Sequence, residues 1–188
     1  MIEPGKLDSF FNRMRKIGRP NIEDAPPWYP YYFDLAQGDD LIEALQYSKQ
    51  EMLDLTISIP PELGDYKYAE DKWTIKQVFI HLADDERYYA YKAFCYSRQI
   101  DVYLEVPRGE DYNKDFNARN RTLNDIVEEL STIRNTTISL FGSMTDEMLD
   151  FKGFLHEPIY TARSLGWMAV GHNIHHCNQL KKLYLSLR

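Results

Sequence analysis

The sequence predicts an all-α four-helix bundle, and three observations lead there. Four long segments carry apolar residues at helical spacing. Each would run to roughly 20–26 residues, or about 30–39 Å at 1.5 Å per residue, a length that suits bundle helices. No segment shows sustained apolar–polar alternation, which leaves at most a short ribbon near Phe151–Tyr160. A chain of 188 residues suffices for one domain with a core that needs no disulfide.

Taken in order, the first element is a short amphipathic helix. Leu7, Phe10, Phe11, Met14 and Ile17 recur at helical spacing until Gly18 stops the pattern. Pro20 to Pro30, with Pro26 and Pro27 before Trp28 and Tyr29, reads as an extended strap over the surface. Residues 1–30 thus form an extension packed on the bundle or on a partner subunit, and residues 31–188 form the bundle. The first long helix runs from about Asp39 to Ile57, with Leu41, Leu45, Met52 and Leu55 facing inward, and Pro60 and Pro61 end it. The second starts at Thr74, where Thr74 and Gln77 fit a capping box, and continues to about Arg98. Val78, Leu82, Tyr89 and Phe94 are its core candidates. The third starts near Thr122, with Asp125 three residues on, and carries Leu123, Ile126, Leu130, Ile133 and Leu140 to about Ser143. Thr145 and Glu147 open a single turn. The fourth runs from about Ala162 to Leu187. Links of about 15 residues between helices one and two, and about 20 between two and three, imply long crossings or loops capping one end.

Composition narrows the class more than the function. The apolar fraction of 44% and charged fraction of 27% are ordinary for a globular protein. No apolar run approaches the roughly 18 residues of a membrane span, and residues 1–20 lack the apolar stretch of a signal peptide. The expected location is the cytosol. A net charge of −7 argues against a nucleic-acid partner, which selects for a basic face. Cys95 and Cys177 are too few for a disulfide framework and are expected reduced and packed in helices.

The chemistry lies in the histidines. Of five, three crowd into Gly171-His172-Asn173-Ile174-His175-His176 on the fourth helix. Residues four apart differ by about 40° in direction, so His172 and His176 can aim at one point. His172 with His175, about 60° apart, is the alternative pair. A metal needs a third ligand, and His81, about two turns into the second helix, is the candidate. Three neutral imidazoles would leave an open position for water or substrate. The bland reading of each histidine is a packed or capped helix residue.

Several neighbours fall within reach. Asp85 (i+4 from His81) and Asp84 (i+3) are candidate general bases or partners of His81, with a solvated acidic face as the plain alternative. Glu86 is turned about 140° away. Gln179, i+3 from His176, is a candidate substrate contact or a buried amide. Met168, i−4 from His172, is expected to line the pocket. Tyr88, Tyr89, Tyr91 and Tyr96 form an aromatic patch expected to be mostly core, with Tyr88, i+7 from His81, nearest the site. His156 is expected at the surface of the loop before the fourth helix, and Cys177 points about 140° away from His172.

The second and fourth helices together resemble the DinB/YfiT-like superfamily of metal-dependent enzymes. The resemblance rests on Trp73-Thr74-Ile75-Lys76-Gln77-Val78, on His81-Leu82-Ala83-Asp84-Asp85-Glu86-Arg87, on Ala90-Tyr91-Lys92, and on Gly171-His172 with His175-His176. It covers about residues 30–188. It implies an up-down-down-up four-helix bundle, often a homodimer, with His81, His172 and His176 as metal ligands and His175 as a non-ligand. The family name is shared with a DNA polymerase, but the resemblance implies no nucleic-acid chemistry. It implies one divalent ion such as Zn²⁺, Ni²⁺ or Mn²⁺ acting on a small-molecule substrate. Such an ion can activate a water for hydrolysis of amides or esters, or activate a low-molecular-weight thiol cosubstrate for transfer to an electrophile. The rival class is a non-enzymatic bundle with a structural metal or a ligand-binding role.

Overall fold

The computed structural model describes residues 15–100, 117–152 and 159–185. Among the described residues there are six α-helices: α1 (Tyr29–Leu35), α2 (Leu41–Ile57), α3 (Ile75–Ser97), α4 (Leu123–Gly142), α5 (Asp146–Asp150) and α6 (Ala162–Gln179). No strand occurs among them. Nor is any helix among them long and apolar enough to cross a membrane.

Side-chain caps fix where the long helices begin. Asp40 accepts from the Ile42 amide and starts α2. The predicted box of Thr74 and Gln77 starts α3, and Thr122 with Asp125 starts α4 in the same way. Thr161 and Ser164 form a third box at α6, and Thr145 caps the single turn of α5. Beyond Gln179 the last helix widens into a π turn over Leu180–Leu185.

The four long helices pack as a ring in which α6 touches α3 and α2, and α4 touches the same two. Directions follow from the contacts. Met52 meets Asn173 while Leu41 sits at Gly166, so α2 and α6 run parallel. His81 meets His172 while the Trp73 carbonyl accepts from Tyr184 on the π turn, so α3 runs against α6. Lys49 bonds Asn135, and Leu41 and Phe141 both approach Gly166, so α4 runs against α2. The order is up-down-down-up, with α2 and α3 on one diagonal and α4 and α6 on the other, while α3 and α4 are parallel neighbours that need a long link between them.

Two expectations need correcting. The Pro-rich stretch is no extended strap throughout, because Ile22–Asp24 forms a 3₁₀ turn and α1 starts at Tyr29. Pro30 lies in the first turn of α1, where its missing N–H would have had no helical partner anyway. Phe94 is 40% exposed rather than core, because it lies on the outer side of α3 with Tyr91. The expected amphipathic helix over residues 7–17 falls mostly outside the described residues. Ile17 itself is fully buried in this chain and is not in a helix. Its carbonyl accepts from Leu41, and the Gly18 carbonyl accepts from the Trp167 indole, so this part of the extension is held to the bundle. The expected ribbon lies mostly outside the described residues too, and Phe151, Lys152, Ile159 and Tyr160 show no strand.

The apolar interior falls into two clusters. One gathers around Trp167, Phe141 and Leu41, the other around Phe79, Ile126 and Leu130. Polar side chains lie where they meet. Arg134 on α4 is 1% exposed and forks onto Glu86 of α3, with Nε to Oε1 at 2.7 Å and Nη2 to Oε2 at 2.8 Å. Its Nη1 donates to the Leu45 carbonyl and the Ser48 hydroxyl of α2, and Nη2 reaches the Ala169 carbonyl of α6. One guanidinium therefore bonds to the other three long helices from its seat on the fourth. Such a pair adds little net stability over apolar packing, but breaking it strands a buried charge. Arg134→Met is expected to cost about 3–5 kcal/mol in urea unfolding, and Arg134→Met with Glu86→Leu to cost clearly less than the single change. A double variant as unstable as the single one would show that the cost does not come from the stranded carboxylate.

Candidate metal centre

Three imidazoles meet at the seam between α3 and α6. His81 and His172 are buried, and His176, one turn after His172, is partly buried. The Nε2 atom of His172 lies 3.3 Å from Nε2 of His81 and 3.1 Å from Nε2 of His176. One ligating atom from each of the three falls within 4.8 Å of the others.

Hydrogen bonding alone cannot satisfy this arrangement. A neutral imidazole nitrogen carries either one hydrogen or one lone pair, so Nε2 of His172 cannot serve two in-line partners. A shared cation can. With metal–nitrogen bonds of about 2.0–2.1 Å, two imidazoles on a tetrahedral ion have nitrogens about 3.3 Å apart. The separations of 3.1 and 3.3 Å fit ligands on one ion.

Electrostatics favours the ligating form. Burial lowers the pKa of His81 to about 4, against a smaller opposing effect of Asp84. Burial, followed by the neighbouring histidines, lowers His176 to about 3 and holds His172 well below the usual range. At neutral pH all three rings are uncharged and keep a lone pair, which metal binding requires.

Asp85 stands beside the triad, its side chain 13% exposed. Its Oδ2 is 3.4 Å from Nε2 of His172 and its Oδ1 is 3.6 Å from Nδ1 of His81. In a ring ligating through Nε2 the hydrogen sits on Nδ1, so this carboxylate faces the N–H of His81. The Tyr89 hydroxyl approaches the same Oδ2 at 3.4 Å, and the Tyr89 ring is 5.8 Å from His172.

The other candidates lie around this group. Asp84 turns outward and pairs with Arg87 at 3.1 Å. Tyr88 packs on Tyr89 and beneath the Lys92 ammonium, leaving Tyr89 as the α3 tyrosine whose ring meets His172. Met168 is buried in the apolar cluster one turn before His172. The Gln179 amide lies 2.9 Å from Nε2 of His175, and the Tyr31 hydroxyl lies 3.0 Å from Nδ1 of the same ring. Both nitrogens of His175 are thus engaged outside the triad. Cys177 is buried against Asn173, with its thiol pushed up to about 12 by burial. His156 lies outside the described residues.

Two aromatic neighbours were not anticipated as site residues. Trp73, just before the α3 cap, places its ring 4.7 Å from His81. Tyr32 on α1 places its ring 6.0 Å from His172 and 5.5 Å from His175. Gly171 allows this, since a Cβ there would fall 2.1 Å from the Tyr32 carbonyl oxygen. The signal available in the sequence was the Tyr29/Phe33 pair four residues apart around Tyr31 and Tyr32, hidden by Pro30.

A family model, the DinB superfamily, matches residues 44–180. The chain belongs to the DinB superfamily. No curated protein matches it. Among solved structures it is similar to YfiT from Bacillus subtilis, a probable metal-dependent hydrolase with an unusual four-helix bundle topology. The TM-score is 0.69 at 14% identity, over 90% of this chain and 93% of that one. At this identity the likeness concerns the fold.

The close approach at Gly171 is testable. Gly171→Ala is expected to force α1 off α6 and cost about 1–3 kcal/mol in thermal unfolding. Gly18→Ala, where a Cβ would meet nothing within 4 Å, should change stability by less than about 0.5 kcal/mol. Equal effects at the two positions would contradict the packing described.

Proposed function

We infer that this chain is a metal-dependent enzyme that holds one divalent ion on His81, His172 and His176 and hydrolyses an amide or ester bond in a small molecule. The observation that carries this reading is the convergence of three uncharged Nε2 atoms at 3.1 and 3.3 Å beside a carboxylate. Zn²⁺, Ni²⁺ and Mn²⁺ all suit three imidazoles. When bound, such an ion polarises a carbonyl and lowers the pKa of a coordinated water or thiol.

The protein's own groups supply the rest. The triad fixes the reaction centre by drawing two ligands from one helix and one from its neighbour, so the centre depends on the α3–α6 register. Asp85 is placed to take the proton of the nucleophile at Oδ2, on the side where Nε2 of His172 is 3.4 Å away. The Tyr89 hydroxyl, at the same oxygen, orients that carboxylate. Trp73, Tyr32 and Tyr89 surround the triad with aromatic surface and limit water around it. Neither cysteine serves as nucleophile here, since Cys177 stays protonated and buried and Cys95 is buried 14 residues beyond His81 on α3. A thiol substrate would have to be a dissolved cosubstrate.

The test is elemental analysis of untagged protein, followed by turnover assays on aryl esters, anilides and thiol–electrophile pairs. About one ion per chain is expected, lost in His81→Ala and His176→Ala. Asp85→Asn should keep the ion and lower hydrolytic kcat on the order of a hundredfold. Turnover only with an added thiol would replace hydrolysis with thiol transfer. Failure of the folded protein to hold a divalent ion would end the enzyme reading and leave the non-enzymatic bundle.

A further inference from the structure

The triad is bordered by rings from two separate elements. Tyr32, on α1, flanks His172, and Trp73, at the start of α3, flanks His81. Tyr32 packs against one apolar cluster and Trp73 against the other, and both residues stay partly exposed. Both are also held from behind. The Trp73 carbonyl accepts from the Tyr184 hydroxyl at 2.8 Å. The Tyr32 backbone rests on Gly171, where no side chain larger than hydrogen fits. Next to Tyr32, the bond from Tyr31 to His175 pins α1 a second time. Two aromatic faces beside a reaction centre, each anchored through backbone, form a built feature rather than loose surface.

We propose that Tyr32 and Trp73 are specificity-determining residues that select a substrate with an aromatic or conjugated planar group next to its reacting carbonyl. The proposal rests on the metal-centre reading above and adds the substrate class. Planar unsaturated groups pack on Tyr and Trp faces in offset or edge arrangements that a flexible aliphatic chain of equal size does not reproduce. The flanking order Tyr32, His172, His81, Trp73 puts one aromatic ring beside each of two triad histidines, so a planar group on a compound bound at the triad would meet one or the other. The charged neighbour described beside the triad is the Asp85 carboxylate, which disfavours a phosphate or carboxylate at the same place. An uncharged planar acyl compound meets all of these conditions.

A binding experiment tests this without any turnover. Acetohydroxamate and benzohydroxamate present the same metal-binding atoms and differ by a methyl against a phenyl group. Each is titrated by calorimetry into the zinc-loaded full chain, after the zinc content has been measured. Benzohydroxamate is expected to bind about tenfold more tightly, or about 1.4 kcal/mol. Tyr32→Ala should bring the two within about threefold, whereas Tyr32→Phe, which keeps the ring, should preserve the gap. Trp73→Leu should narrow it as well, and benzohydroxamate should perturb tryptophan fluorescence in the wild type more than in that variant. Equal affinities in the wild type, or a gap untouched by Tyr32→Ala and Trp73→Leu, would overturn the proposal while leaving the metal centre standing. A folded chain that takes up no zinc would overturn both.

Discussion

Arg134 and Glu86 face each other in the middle of the bundle, where neither charge can recover the hydration it lost. A buried guanidinium must fill its donor positions, and Arg134 does so with a carboxylate on α3, a carbonyl and a hydroxyl on α2, and a carbonyl on α6. Any slide of one helix by a turn would leave part of this set unmade. The pair therefore acts on register. Glu86 is five residues beyond His81 on α3, and Ala169 is three residues before His172 on α6. The same lock that aligns these helices brings His81 opposite His172.

The centre follows from that alignment and from how α6 is enclosed. With α1, α2, α3 and α5 packed on it, almost every residue from Ala162 to Ile174 is buried, so its histidines are desolvated on arrival. Desolvation keeps the rings neutral. Neutral rings with converging lone pairs are costly in an apolar interior unless something shares them. Small residues then shape the wall. Gly171 brings α1 against the backbone of α6, and with it Tyr31 and Tyr32. Stability, register and site are thus linked through α6, which carries two of the three histidines.

Much of this was legible in the sequence, for local reasons. The helix starts were written in caps that act within three residues, such as Thr74 with Gln77 and Thr122 with Asp125. The His172–His176 pair is a consequence of helical pitch. His81 could be offered as the third member only as a candidate until the family resemblance supported it, because no local rule brings α3 against α6. What stayed hidden was nonlocal or masked by a breaker. Pro30 made α1 look extended, although proline in a first turn is harmless. Arg134 interrupts the apolar stripe of α4 and reads as a surface residue until Glu86 is placed opposite it. Glu86 was rightly turned away from the triad by helical geometry, but it faces Arg134 and not water. Tyr89 rather than Tyr88 meets His172, a difference of one residue that helical angles alone did not resolve.

The central claim is that three imidazoles from α3 and α6 hold one ion and leave it an open position. X-ray absorption at the zinc edge of the zinc-loaded protein tests it most directly. The account predicts three imidazole nitrogens at about 2.0–2.1 Å with one or two light oxygen scatterers completing the shell. Fewer than three imidazoles, or a sulfur at about 2.3 Å, would contradict it.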